Sequence, residues 1–171
     1  MAGPAFDFLR ALVIEDNAHM RTLLRSLMHA LGVKQVIECA DGAMGYEELR
    51  AKRPDFVLTD LSMKPIDGIE FTKMVRTAKD SPNPYVPIIM VTGHTERARV
   101  EAARDAGVTE FLAKPITAQN LFLRITEIVE HPRSFVRCDT YFGPDRRRHH
   151  DETYPGPFRR QDDFKDDLAI A

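Results

Sequence analysis

Short apolar runs that each stop at a polar residue are the feature that most constrains the fold of this chain. Runs such as 12–14, 56–59 and 88–91 are too short for a membrane span, and their branched residues favour buried strands. The predicted strands cover residues 10–15, 35–39, 56–60, 87–92 and 110–113. The polar side chains at or just after their ends are Glu15 and Asp16, Asp60, Thr92, and Lys114. We therefore expect five buried strands whose polar groups gather at one set of ends.

Helix signals lie between the predicted strands. Asn17, Asp67 and Thr117 stand where N-caps are expected, and Glu70 completes a capping-box spacing with Asp67. Five helices are predicted. The first begins after Asn17, the second covers 42–52, and the third begins at Asp67. The fourth lies between Thr95 and Gly107, and the fifth between Thr117 and Pro132. Regular alternation of strand and helix implies a parallel sheet that helices cover on both faces. The predicted fold class is therefore α/β, a doubly wound sheet of five parallel strands with five helices.

Parallel strands bring their carboxyl ends to one edge of the sheet, so the polar side chains should share one cleft. Three carboxylates at short range repel one another, and a bound Mg²⁺ or Mn²⁺ with oxygen ligands would remove that repulsion. The candidate ligands are Asp16 and Asp60 directly, Glu15 directly or through water, and the backbone carbonyl of Ser62. Lys114 can balance the charge of a phosphoryl group, and Thr92 can donate a hydrogen bond to it. The predicted chemistry is transfer of a phosphoryl group onto a carboxylate.

With these residues in place, the sequence resembles the CheY-like receiver domains of two-component response regulators. The resemblance extends over about residues 8–130 and includes the loop from Asp60 to Gly68. It implies the flavodoxin-like strand order 2-1-3-4-5. It depends on the combined spacing of Glu15 and Asp16, Asp60, Thr92 and Gly93, and Lys114 and Pro115.

The resemblance implies a role for each matching residue. Asp60 would be the phosphoacceptor, which receives a phosphoryl group from a histidine kinase or a phosphotransfer protein. Thr92 and Lys114 would bind that group, and Phe111 takes the position of the switch aromatic. The function expected for the chain is therefore that of a single-domain, phosphoacceptor response regulator in bacterial signalling.

Three further residues around the cleft receive expected roles by the same resemblance. Ser62 and His94 lie two residues beyond Asp60 and Thr92, at positions that tune the lifetime of the phosphoryl group. The peptide bond before Pro115 is expected to be cis, which would aim the preceding lysine into the cleft.

The resemblance also implies how the domain signals. Phosphorylation would change the face formed by the fourth helix, the fifth strand and the fifth helix, which an unidentified downstream protein then reads. A dimer that depends on phosphorylation is compatible with this mode. Only magnesium-dependent self-phosphorylation and autodephosphorylation are expected, so the chain is not predicted to be an enzyme that turns over a substrate.

The composition changes after the predicted fifth helix, which divides the chain into a receiver domain, 1–131, and a mostly irregular tail, 132–171. The tail contains two Gly-Pro-x-Arg-Arg motifs, and the arginines in and directly after these motifs are Arg146, Arg147, Arg148, Arg159 and Arg160. One interpretation is a docking motif for a protein partner. A second is packing on the chain's own domain, with Val136, Cys138, Thr140 and Phe142 on one face of an extended arm that could join a sheet edge. A third is a tail without structure.

Charge and composition weigh against several other functions. The net charge of −2 and the acidic neighbours of the arginines argue against nucleic-acid binding. No apolar run is long enough for a membrane span, no signal peptide is evident, and Cys39 and Cys138 lack metal-like spacing, so a cytoplasmic location is expected. Two alternatives remain: a phosphorylation-independent adaptor that acts through the tail, and a nucleic-acid-binding regulator that acts through its arginines.

Overall fold

The computed structural model describes residues 6–93 and 97–146. Its main sheet has five parallel strands in the order β2-β1-β3-β4-β5. The strands are β1 Arg10–Ile14, β2 Gln35–Cys39, β3 Phe56–Asp60, β4 Ile88–Thr92 and β5 Glu110–Ala113. The intervening helices are α1 Ala18–Ala30, α2 Gly42–Lys52, α3 Gly68–Thr77, α4 Arg97–Ala106 and α5 Ala118–Glu130. The predicted fold class and strand order are confirmed.

The apolar core lies on both faces of the sheet because side chains alternate along each strand. In β1, Ala11 and Val13 face the cluster that α1 and α5 cover, while Leu12 and Ile14 face the cluster under α2 and α3. A third, smaller cluster packs beneath α4 and includes Leu61, Ile69, Met90, Ala103, Ala106 and Val108. This two-sided burial holds the strand ends rigidly in register and thereby fixes the edge where the polar residues lie.

The predicted caps begin their helices as expected. Asn17 accepts hydrogen bonds from two backbone amides of α1, and Asp67 and Glu70 form a complete capping box at the start of α3. The apolar residues of α1 differ in exposure: Leu23 is 44% exposed, whereas Leu24 and Met28 are buried. None of the helices within residues 6–93 and 97–146 is long and apolar enough to cross a membrane.

The tail contains an antiparallel hairpin that the sequence does not predict, formed by β6 Phe135–Cys138 and β7 Tyr141–Pro144. The chain reverses between them, so Phe142 pairs with Arg137 and shares a face with Phe135. Opposite residues of a hairpin share a face, whereas alternate residues share one only along an unbroken strand. The predicted face of Val136, Cys138, Thr140 and Phe142 is therefore wrong. Within the described residues the hairpin pairs only with itself, so the predicted sheet-edge arm is also not observed.

The hairpin packs on its own domain, beside the segments that precede β4 and β5. Phe135 and Phe142 enclose Tyr85 at ring-centroid distances of 5.2 and 5.3 Å, both edge to face. Arg76 of α3 lies under the Phe135 ring and donates hydrogen bonds to the carbonyls of Gly107, at 3.0 Å, and Pro84, at 2.7 Å. Burial lowers the pKa of the Arg76 guanidinium to about 9, so it remains charged at neutral pH. Self-packing thus describes the tail as far as residue 146.

Candidate functional site

Asp60 lies at the end of β3 with both carboxylate oxygens engaged. Its Oδ1 accepts a hydrogen bond from Lys114 Nζ at 2.7 Å, and its Oδ2 accepts one from the backbone amide of Ser62 at 2.9 Å. The Asp60 side chain is almost completely buried, whereas that of Lys114 is 36% exposed. Gly68 packs closely against the backbone of Asp60, because a Cβ there would lie 2.3 Å from the Asp60 carbonyl oxygen. The carboxylate is therefore held in one orientation at the floor of a cleft.

Lys114 reaches Asp60 from the end of β5. Its backbone amide donates a hydrogen bond to the Thr92 carbonyl at 2.9 Å, which continues the pairing of β4 with β5. The peptide bond between Lys114 and Pro115 is cis. The ammonium group of Lys114 forms an ion pair with the Asp60 carboxylate.

Glu15 and Asp16 follow β1, the strand next to β3, but differ in exposure. The Glu15 side chain is buried, and its Oε1 accepts a hydrogen bond from the Asn17 amide at 3.0 Å. Its Oε2 is buried without a hydrogen-bond partner among the described residues. Burial raises the pKa of Glu15 to about 7, and the negative charge of Asp60 adds to this effect. Asp16 is exposed at the mouth of the cleft.

These residues fit a divalent cation. An unpartnered, buried carboxylate oxygen with a raised pKa lacks a compensating positive charge, and a hard cation with oxygen ligands supplies one. Glu15, Asp16 and Asp60, with the Ser62 carbonyl, would provide oxygen ligands only. Within residues 6–93 and 97–146, no group of three acidic or histidine side chains already surrounds a common point. The exposed Asp16 side chain already interacts with Glu15 and helps to raise the pKa of that carboxyl group.

Thr92 and Phe111 lie where the sequence places them, on adjacent strands. Thr92 ends β4 and is 7% exposed. Phe111 is paired with Met90 across β4 and β5, and it packs, partly buried, against the cluster beneath α4. The hydroxyl group is thus at the edge of the cleft, and the aromatic ring is on the side of α4. The switch role of Phe111 remains a prediction.

Arg99 of α4 is a residue that sequence reasoning missed. Its Nη1 donates a hydrogen bond to Ser62 Oγ at 2.7 Å, and its Nη2 contacts Asp67 Oδ2 at 2.6 Å. A single arginine on a helix is usually solvated, so nothing in the sequence pattern distinguishes it. It contacts both ends of the loop between β3 and α3, which places it at the side of the cleft.

The other predicted residues do not join this cleft or cannot be placed. Arg146 lies beside the hairpin, where it stacks over the Tyr141 ring at 4.2 Å and pairs with Asp105 at 3.0 Å. This intramolecular pairing occupies its charge and gives no support to a nucleic-acid interface. The predicted residues outside the described part of the chain are His94, Arg147, Arg148, Arg159 and Arg160.

Comparison with known proteins agrees with this geometry. The family described as the response regulator receiver domain matches residues 11–126. The chemotaxis protein CheY of Pseudomonas aeruginosa is 32% identical over 122 residues, which cover 71% of this chain and 97% of that protein. Chemotaxis protein CheY-3 of Vibrio cholerae is 30% identical over 122 residues, which cover 71% of this chain and 92% of that protein.

Solved structures show the same likeness. The chemotaxis protein CheY4 of Vibrio cholerae aligns with a TM-score of 0.65 and 25% identity, covering 71% of this chain and 98% of that one. The receiver domain of a sensor histidine kinase from Pseudomonas aeruginosa aligns with a TM-score of 0.61 and 29% identity, covering 70% of this chain and 94% of that one. That structure has a magnesium ion coordinated in its active-site cleft.

Proposed function

Because the chain belongs to the response regulator receiver domain family, we propose that Asp60 accepts a phosphoryl group from a histidine kinase or a phosphotransfer protein. The observation that carries this proposal is the buried Asp60 carboxylate, held by Lys114 at 2.7 Å and by the Ser62 amide at 2.9 Å. A carboxylate whose orientation is fixed and whose charge is balanced is ready to act as a nucleophile. Its neighbour Glu15 supports the proposal, since the unpartnered oxygen suits a cation.

In the proposed reaction, an Asp60 carboxylate oxygen attacks the phosphorus atom of the donor. The bond from phosphorus to the donor's nitrogen or oxygen breaks, and the leaving group keeps the electron pair. A magnesium ion, when bound, supplies positive charge that offsets the phosphoryl oxygens. Lys114 pairs with the new phosphoryl group, and the Thr92 hydroxyl donates a hydrogen bond to it. The protein's contribution is positioning and charge balance.

The phosphorylated domain would signal through a change of surface. Phosphorylation turns the singly charged Asp60 carboxylate into an acyl phosphate with nearly two negative charges, and the movement of Thr92 and Phe111 towards this group would change the packing of α4 and β5. A downstream protein, or a second copy of the chain, would read the face of α4, β5 and α5. We place the protein in the cytoplasm and expect no turnover of a separate substrate.

Labelling with acetyl phosphate, a small phosphoryl donor, tests the proposal. The intact chain is incubated with the donor in the presence of Mg²⁺ and then examined by mass spectrometry for the gain of one phosphoryl group. We expect one group per chain, released by hydroxylamine as befits an acyl phosphate. A matched sample with a chelator in place of Mg²⁺ should remain unlabelled. A chain that takes up no phosphoryl group with Mg²⁺ present would contradict the proposal.

Magnesium binding should depend on pH through Glu15. Its pKa of about 7 means that the side chain is mostly protonated below that value, and a metal ion must displace the proton. From neutral pH down to about 5.5, Mg²⁺ affinity should fall roughly tenfold per pH unit, and it should level off above neutral pH. Isothermal titration calorimetry across this range measures the slope. Glu15→Gln, which cannot titrate, should bind Mg²⁺ more weakly but with a much flatter pH profile; equal slopes would show that another group titrates.

A further inference from the structure

The guanidinium group of Arg99 connects α4 to the loop that follows the phosphorylation site. One amino group donates to Ser62 Oγ at 2.7 Å, and the other contacts Asp67 Oδ2 at 2.6 Å. The same second group lies 3.4 Å from the Leu61 carbonyl oxygen, a longer and weaker contact. The Arg99–Asp67 pair is only partly exposed, at 39% and 25% of the two side chains. The Arg99 side chain therefore contacts the loop both near its start and at its end.

The two residues that Arg99 contacts both fix the geometry around Asp60. The Ser62 amide holds Asp60 Oδ2, and its carbonyl is a candidate metal ligand. Asp67 uses its other oxygen, Oδ1, to cap α3 by accepting hydrogen bonds from the Ile69 and Glu70 amides at 2.9 Å each. Arg99 binds Oδ2, so the cap and the ion pair coexist. The loop is thereby held by its own helix cap and by a cation from a different helix.

We propose that Arg99 is a positioning residue that holds the Ser62 side chain in place from α4 and so prolongs the life of the phosphoryl group on Asp60. This inference rests on the proposed function of Asp60. Hydrolysis of an acyl phosphate needs a water molecule in line with the bond that breaks. The Ser62 hydroxyl, fixed at the side of the cleft by the Arg99 guanidinium, restricts the approach of water. Loss of Arg99 frees that hydroxyl and removes the restriction.

Arg99 also gives α4 a direct contact with the loop that carries Ser62 and Asp67. The position of α4 is therefore coupled to the loop that follows Asp60. This route is separate from the predicted movement of Thr92 and Phe111, because it runs through the loop after β3 instead of through β4 and β5.

The lifetime of the phosphorylated, full-length chain tests the inference. The protein is labelled with acetyl phosphate and Mg²⁺, the donor is removed, and loss of the phosphoryl group is followed by intact-mass spectrometry. In Arg99→Ala we expect the half-life to shorten by about two- to tenfold, the range for loss of one coupled contact. In a Ser62→Ala background, Arg99→Ala should then have little further effect, because the two residues act together. Simple addition of the two effects, or an unchanged half-life in Arg99→Ala, would overturn the inference.

Two variants separate positioning from general damage to the fold. Asp67→Asn keeps a good helix cap but removes the charge that binds Arg99, so it should shorten the half-life in the same direction. Arg104→Ala removes an exposed arginine from the same helix and should leave the half-life unchanged. An unchanged half-life in Asp67→Asn would count against the inference. If the wild-type chain accepts no phosphoryl group, the proposed function of Asp60 itself fails before any variant is compared.

Discussion

An Asp60→Asn variant will take up no phosphoryl group from acetyl phosphate, while the wild-type chain becomes labelled. The carboxamide has no anionic oxygen to attack phosphorus, so the nucleophile is lost although the shape is kept. The variant should fold, because asparagine fills the same space. Its side-chain oxygen can still accept the hydrogen bond that the Ser62 backbone amide donates at 2.9 Å. The rate of labelling, measured by intact mass over time, should fall to the level of a chain without Mg²⁺.

A matched control separates loss of the acceptor from loss of any surface carboxylate. Asp80→Asn removes an exposed carboxylate that pairs with Arg50 far from the cleft, and its labelling should equal that of the wild type. A second consequence concerns the metal site. Asp60 is one of the groups that raise the pKa of Glu15, so Asp60→Asn should lower that pKa. Wild-type labelling in Asp60→Asn would place the acceptor at another residue and contradict the proposed function.

The site could be predicted from sequence because its parts follow from one rule about parallel sheets. Buried strands are apolar throughout, so the first polar residue after each strand is conspicuous, and the sheet brings these residues to one edge. Asp60 and Lys114, although 54 positions apart, meet at 2.7 Å for this reason. The rule predicts which residues lie at the sheet edge, but it does not predict the orientation of their side chains. It therefore could not tell that Glu15 is buried while Asp16, the next residue, is exposed.

Two other features could not be predicted from the sequence, for different physical reasons. Arg99 acts through contacts with a loop that is distant in the chain, and no periodic pattern marks such a contact. In α1, Leu23 and Leu24 are both apolar, but successive helical residues point about 100° apart, so only one can face the core squarely. Leu24 is buried, and Leu23 is left exposed. The apolar positions therefore predict that a helix forms, but they do not determine which of two adjacent leucines faces the core.

The hairpin was missed because its strands are short and its turn carries no strong signal. Its strands have four residues each, and the Asp139-Thr140 turn between them lacks the glycine that marks the most recognisable hairpins. The hairpin also lies beyond the segment 11–126 that matches the receiver family. Its aromatic residues, which resemble a docking motif in the sequence, instead contact Tyr85 of the domain.

A chain shortened to end at Ser134 should unfold at a melting temperature about 10 °C lower than that of the full chain. It loses Phe135 and Phe142, which contact Tyr85 and each other, with ring centroids 5.7 Å apart in the Phe pair. Two half-buried phenylalanines and their ring contacts stabilise the fold by roughly 2–4 kcal/mol in total. The shortened chain keeps Arg133, whose guanidinium pairs with the buried Glu110, so loss of that ion pair does not confuse the result. Thermal unfolding followed by circular dichroism measures the difference.

A chain that ends at Arg146 is the matched control, and it decides between the two interpretations of the tail. It lacks residues 147–171 but retains the hairpin. If the hairpin stabilises the domain by packing on it, this chain should have the same melting temperature as the full chain. If the tail to residue 146 were only a docking motif, both shortened chains would have the melting temperature of the full chain.

The hairpin also contacts the C-terminal end of α4, through Arg146 and Asp105 at 3.0 Å, while Arg99 holds the other end of that helix to the loop beside the cleft. Removing the hairpin should therefore loosen α4 at one end only, leaving phosphoryl uptake at Asp60 intact while the proposed signalling face of α4, β5 and α5 becomes more mobile.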